Sequence, residues 1–169
     1  MGKRFSPEER EQISALLRRR GRELFGEEGV RSTSVEALAE VAGIAKGSFY
    51  SFFASKEELF LQILEEVERE VRESLLKRLE EERFASAEER IYFFLKEQYR
   101  AVDEVPMLSR NLRPEILAHV AIRVGSERFT AHRALDDTFL EEVARRWIDN
   151  GTLAEQDVAQ VVSLWKAPF

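Results

Sequence analysis

Cysteine is absent from the 169 residues, which removes disulfides, thiol nucleophiles and cysteine-ligated zinc together. Histidine occurs only twice, too few for a histidine-built metal site. No apolar run approaches the roughly 18 residues that a membrane-crossing helix needs. The opening MGKRFSPEER lacks the apolar core of a signal peptide. The expectation is therefore a cytoplasmic chain with no membrane partner. Strand-like alternation, internal repeats and low-complexity segments are also missing. What remains is 44% hydrophobic and 34% charged, the balance of a globular chain. Its length suits one ordinary domain or two small ones.

The net charge of −6 argues against a polyanionic partner until its distribution is read. Residues 1–56 carry ten Lys/Arg against eight Asp/Glu, whereas 57–169 carry sixteen against twenty-four. Such asymmetry hints at nucleic-acid contact at one end, although charged chains also split this way by chance.

Helix signals dominate the chain. Ser6-Pro7-Glu8-Glu9 combines a cap, a proline at the first helical position and an acid three residues after the cap, a capping box. Ile13, Leu16, Leu17, Gly21, Leu24 and Phe25 then share one stripe of a helix ending near Gly29. Thr33 with Glu36 predicts a second capping box. Gly43 ends that helix, and Ala45–Phe52 forms the next. Ser55 with Glu58 caps a fourth helix of roughly 27 residues, about 40 Å long. Ser86 with Glu89 caps a fifth over 87–103, where Ile91, Tyr92, Phe93, Phe94 and Leu95 predict burial on every side. Pro106, Pro114 and Gly125 delimit pieces near 105–112 and 114–124. A longer helix spans Ser126 to Asn150, and a last one starts near Ala154. The fold class is all-α: an N-terminal three-helix unit over 1–54, joined by the long fourth helix to a helical domain over 55–169.

Residues 33–60 carry the most chemistry. Two short helices joined at a glycine form a helix-turn-helix, in which the first helix braces the second and the second reaches a DNA groove. Val35, Leu38, Ala39 and Ala42 supply the packing face, and Ile44 fills the angle. Ala45, Gly47 and Ser48 keep the reading surface low, while Lys46 offers a cation. Tyr50 and Ser51 present hydroxyls suited to phosphate oxygen. Thr33, Ser34 and Lys56 stand at helix N-termini, where free amides favour anions. The same spacing also fits a plain three-helix core.

The segment LFGEEGVRSTSVEALAEVAGIAKGSFYSFFASKEELF resembles the DNA-binding domain of TetR-family transcriptional regulators. The Leu24-Phe25 pair, Gly29, Thr33-Ser34-Val35, Ala39, Ala42-Gly43, Lys46-Gly47, Tyr50, Phe53 and Lys56-Glu57 stand in the family's register, over about residues 11–71. The resemblance implies an all-helical homodimer, usually a repressor. Three N-terminal helices would hold an operator duplex, and the C-terminal domain would bind a small-molecule effector and dimerise. Two departures stand out: Arg18 replaces a usual apolar residue, and Gly21 a usual alanine. Both are expected to loosen the first helix. Arg18, Arg19, Arg20 and Arg22 form either a solvated face or an attraction for phosphate.

In the second half, an apolar fifth helix beside the fourth predicts a cavity. Its candidate lining is Phe94, Tyr99, Met107, Leu108, Leu112, Ile116, His119, Val120 and Trp147, each of which also fits ordinary core. Glu115 with His119, and His132 with Asp136, share helix faces but supply two ligands where a metal needs three or four. No cofactor is expected. Nothing matches a nucleophile elbow or phosphate loop, so an enzyme has no support. Val143, Trp147, Val158, Val161, Val162, Leu164 and Trp165 offer apolar surface for the dimer that the resemblance implies. Relatives usually continue one helix further, so the C-terminus is expected to be incomplete. The competing reading is a helical small-molecule-binding or scaffold protein that no longer reads DNA.

Overall fold

The computed structural model describes residues 5–154, and these form helices and turns without a strand. In chain order they are α1 (Pro7–Glu28), α2 (Val35–Val41), α3 (Lys46–Phe49), α4 (Lys56–Glu81), α5 (Ala87–Glu104), α6 (Pro106–Asn111), α7 (Pro114–Val124) and α8 (Ser126–Asp149). The expected C-terminal helix, and with it Val158, Val161, Val162, Leu164 and Trp165 of the proposed dimer surface, lies outside the described residues.

The caps explain most boundaries. Ser6 and Glu9 make the full reciprocal box that starts α1, Ser55 accepts from Glu58 N–H, and Ser86 accepts from Glu89 N–H. The second helix departs from expectation by one residue. Its cap is Ser34, which accepts from Ala37 N–H at 3.1 Å. Thr33 instead points inward, fully buried, and donates to the Gly29 carbonyl at 2.9 Å. Two adjacent hydroxyls competed for the cap, and the buried one was taken by the end of α1.

One apolar core joins Leu17, Phe25, Val30, Leu38, Phe49 and Phe53 to Leu59, Phe60, Ile63 and Leu64 of α4, and to Met107, Leu108 and Val120 of α6 and α7. A smaller cluster gathers Leu75, Leu79, Phe94, Leu140, Val143 and Trp147 at the far end of α4. Val143 and Trp147 are therefore interior to this chain, rather than free apolar surface. Gly21 faces Ile63 Cδ1, which would stand 3.0 Å from an added Cβ, so the missing methyl lets α1 and α4 approach. The expected looseness is offset by contact.

The fifth helix corrects a second expectation. Only Phe94 and Glu97 are buried on it, while Tyr92 and Tyr99 are 67% and 58% exposed. Consecutive aromatics cannot share one face of a helix. Here Phe94 takes the interior, and Phe93 packs on Phe84 at the rim with Arg78 over its ring.

Candidate nucleic-acid interface and cavity

Gly43 makes the angle between α2 and α3 possible. Its φ of +66° lies in the left-handed region that glycine enters without steric cost. The Ile44 N–H then returns to the Ala39 carbonyl at 3.0 Å. The following helix is shorter than the sequence suggests. Beyond Phe49, the N–H groups of Ser51 and Phe52 bond to carbonyls three residues back, so the chain tightens into a turn. Phe49 is fully buried, with Phe53 and Tyr50 rings 5.9 and 5.6 Å from it.

With Phe49 inside, Ala45, Lys46, Gly47, Tyr50 and Ser51 face outward and Ser48 is half-buried. A side chain added at Gly47 would meet open space. Lys46 pairs with Glu36 of α2, and that carboxylate holds its ammonium above the usual lysine pKa. Ser34 is exposed, but its hydroxyl serves the α2 cap. Thr33 lies below the surface, as described. Lys56 bends back, its Nζ donating to the carbonyls of Thr33 at 2.6 Å and Arg31 at 3.1 Å, and burial lowers its pKa. Six of the nine expected interface residues thus gather on the outer side of α3 and its flanking turns, while Thr33, Ser34 and Lys56 brace α2 behind them.

Arg10 was missed from the sequence. Its guanidinium donates to the Ser51 carbonyl at 2.6 Å and covers the Phe52 ring, adding a cation beside α3. A partner 41 residues away leaves no local pattern to read. On α1, Arg18 and Arg22 reach Glu66 and Glu70 of α4, and Arg20 pairs with Glu23. These arginines form a largely neutralised face.

A cavity of about 190 Å³ opens between α4, α5, α6, α7 and α8. Leu108 and Leu112 line it; the other seven expected lining residues do not. Met107 and Val120 belong to the main core, with Ile116 packed against it. Phe94 and Trp147 meet edge to face in the second cluster. Tyr99 points to solvent, and His119 Nε2 stands 3.3 Å from Glu57 Oε1. Helical spacing identified apolar positions correctly but not which side of each faced the gap. The polar lining that it overlooked includes Glu68, Arg72, Gln98, His132 and Asp136. Burial pushes the Glu68 carboxyl up to about 8, aided by Asp136; burial likewise lowers the His132 pKa. Arg72 pairs with both Asp136 and Glu68. Among the described residues, no three histidines or carboxylates converge as a metal site.

The α6 residues beside the cavity also hold α1. Asn111, fully buried between Leu108 and Leu112 on the chain, donates to the Phe25 carbonyl and accepts from Val30 N–H, both at 2.9 Å. Arg110 donates to the Gly26 carbonyl at 3.1 Å.

Residues 17–63 match the family model described as bacterial regulatory proteins, tetR family. The transcriptional repressor KstR2 of Mycobacterium tuberculosis is 49% identical over 41 residues, 24% of this chain. That stretch spans only 20% of the repressor's own length. The TetR-family regulator PfmR of Thermus thermophilus superposes with a TM-score of 0.53 at 27% identity, covering 86% of this chain and 76% of that one. The fatty acid degradation regulator FadR of Bacillus halodurans shares the fold at 14% identity, with a TM-score of 0.54 over 91% of this chain and 75% of that one. Residues 17–63 are thus similar to the tetR-family regulators, and the all-α fold is shared with the TetR-family regulator structure.

Proposed function

We propose that this protein is a homodimeric repressor whose α2–α3 unit reads an operator duplex and releases it when a small molecule fills the cavity. The observation that carries the reading is the outer side of α3, where Ala45, Lys46, Gly47, Tyr50 and Ser51 are uncovered while Phe49 anchors the element from behind. Low residues permit close approach to base edges, and Tyr50, Ser51 and Arg10 are placed for phosphate, whose contacts set register. Two copies would enter successive major grooves roughly 34–36 Å apart.

Effector occupancy reaches the reading unit by two routes. The first is α4, which walls the cavity with Val71 and Leu75 and begins at Lys56 beside α2. The second is α6, where Leu108 and Leu112 line the cavity and Asn111 grips the end of α1. Tenfold weaker DNA binding requires about 1.4 kcal/mol of coupling.

Selection from random duplexes, followed by fluorescence anisotropy on the selected sequence, tests the proposal. Lys46→Ala is expected to weaken binding about tenfold or more and to lower the salt slope by about one. Tyr50→Ala should weaken it comparably, with sedimentation still reporting a dimer. The Lys46–Glu36 pair favours the competing reading, a scaffold without DNA recognition. Water and salt screen such an exposed pair, so phosphate can compete for the lysine. Binding that ignores both substitutions and added salt would reject the repressor.

A further inference from the structure

The cavity is apolar along most of its wall, from Val71 and Leu75 to Val102, Leu112, Phe129 and Leu140. Two polar side chains in that wall are incompletely satisfied. Gln98 Nε2 and His132 Nδ1 are both shielded from solvent and, among the described residues, lack a hydrogen-bond partner. Carboxylate oxygens of Glu65 and Glu68 stand 3.5 and 3.9 Å from His132 Nδ1, too long for a good bond. The amide of Gln98 only donates through nitrogen, so what it lacks is an acceptor. By contrast, the Arg72 guanidinium already has Asp136 and Glu68.

We propose that the cavity takes an uncharged, mostly apolar molecule with one hydrogen-bond-accepting oxygen, such as a ketone, ester or lactone, and that Gln98 Nε2 meets that oxygen. The proposal names the effector class for the site of the previous section and rests on that reading for its regulatory consequence. An anionic ligand would face Asp136 and Asp137 in the lining, and of the two lining arginines Arg72 already pairs with Asp136, which leaves Arg133 to attract it. A cationic one would compete with Arg72 for its carboxylates. A pure hydrocarbon would leave the amide unsatisfied. The volume of about 190 Å³ exceeds a benzene-holding cavity of about 150 Å³ and falls below the roughly 300 Å³ of larger ligand pockets. A compact effector follows.

Calorimetric titration with four probes of matched carbon skeleton tests this: benzylacetone, butylbenzene, phenylbutylamine and phenylbutyrate. Benzylacetone is expected to bind about tenfold tighter than butylbenzene and tighter than either charged probe. Gln98→Met should erase the ketone's advantage while butylbenzene binds at least as tightly as before, which shows that the cavity persists. Tighter binding of the amine or the carboxylate, a ketone preference unchanged in Gln98→Met, or no binding of any probe would overturn the proposal. The regulatory reading fails separately. If benzylacetone binds as expected but leaves anisotropy on the selected duplex unchanged, the ligand class stands and the effector role falls.

Discussion

Glu68 ties the stability of the fold to pH. In the unfolded chain it titrates near 4.5, and in the fold near 8. Between those values the folded state retains a proton that the unfolded state has lost, so stability falls as pH rises through this window. Burial is the main cause; Asp136 on α8 and Glu65 on α4 add to it, and Arg72 on α4 opposes it. His132 acts in the opposite sense. Its folded pKa lies below 6.5, so the unfolded chain takes up a proton first and stability declines as pH drops through that value. Glu68→Gln is expected to raise the melting temperature by several degrees at pH 8.5 and to leave it nearly unchanged at pH 4, as scanning calorimetry would read. Ser34 offers a second residue-scale check. As the observed cap of α2, its alanine variant should cost about 1 kcal/mol in urea unfolding.

Among the elements, α6 has an influence out of proportion to its six residues. Asn111→Ala removes the acceptor of Val30 N–H and a donor to Phe25 O. Phe25 O keeps Gly29 N–H as a donor, but leaving the buried Val30 N–H unsatisfied should cost about 1–3 kcal/mol, measurable as a lower urea midpoint. Nothing in the sequence announces this role, because its partners lie 81 and 86 residues away. Local signals were readable. Ser6, Ser55 and Ser86 start their helices where the capping pattern places them, and Gly43 turns where a left-handed residue is needed. The fifth helix was misread because a run of aromatics reports hydrophobicity without direction. The cavity lining failed for the same reason. Its shape depends on how five helices meet, and its most informative groups are polar.

For the molecule as a whole, charge is segregated rather than merely negative. Carboxylates of α4 neutralise arginines on α1, so the cations left near α3 are few, chiefly Lys46 and Arg10. DNA affinity should therefore depend strongly on each one. Arg10→Ala is expected to weaken operator binding about fivefold or more at moderate salt, with the difference shrinking as salt rises, in the same anisotropy assay. Arg19→Ala, on the exposed back of α1, should leave it unchanged. The continuous core has one more consequence. Phe25, fully buried, packs its ring 5.5 Å from Phe60, and Asn111 closes the end of its helix. The three N-terminal helices are therefore no portable module: excised at residue 54, they would lose the wall that shapes them. On the proposed function, grafting their specificity onto a regulator would require carrying α4 and α6 along with them.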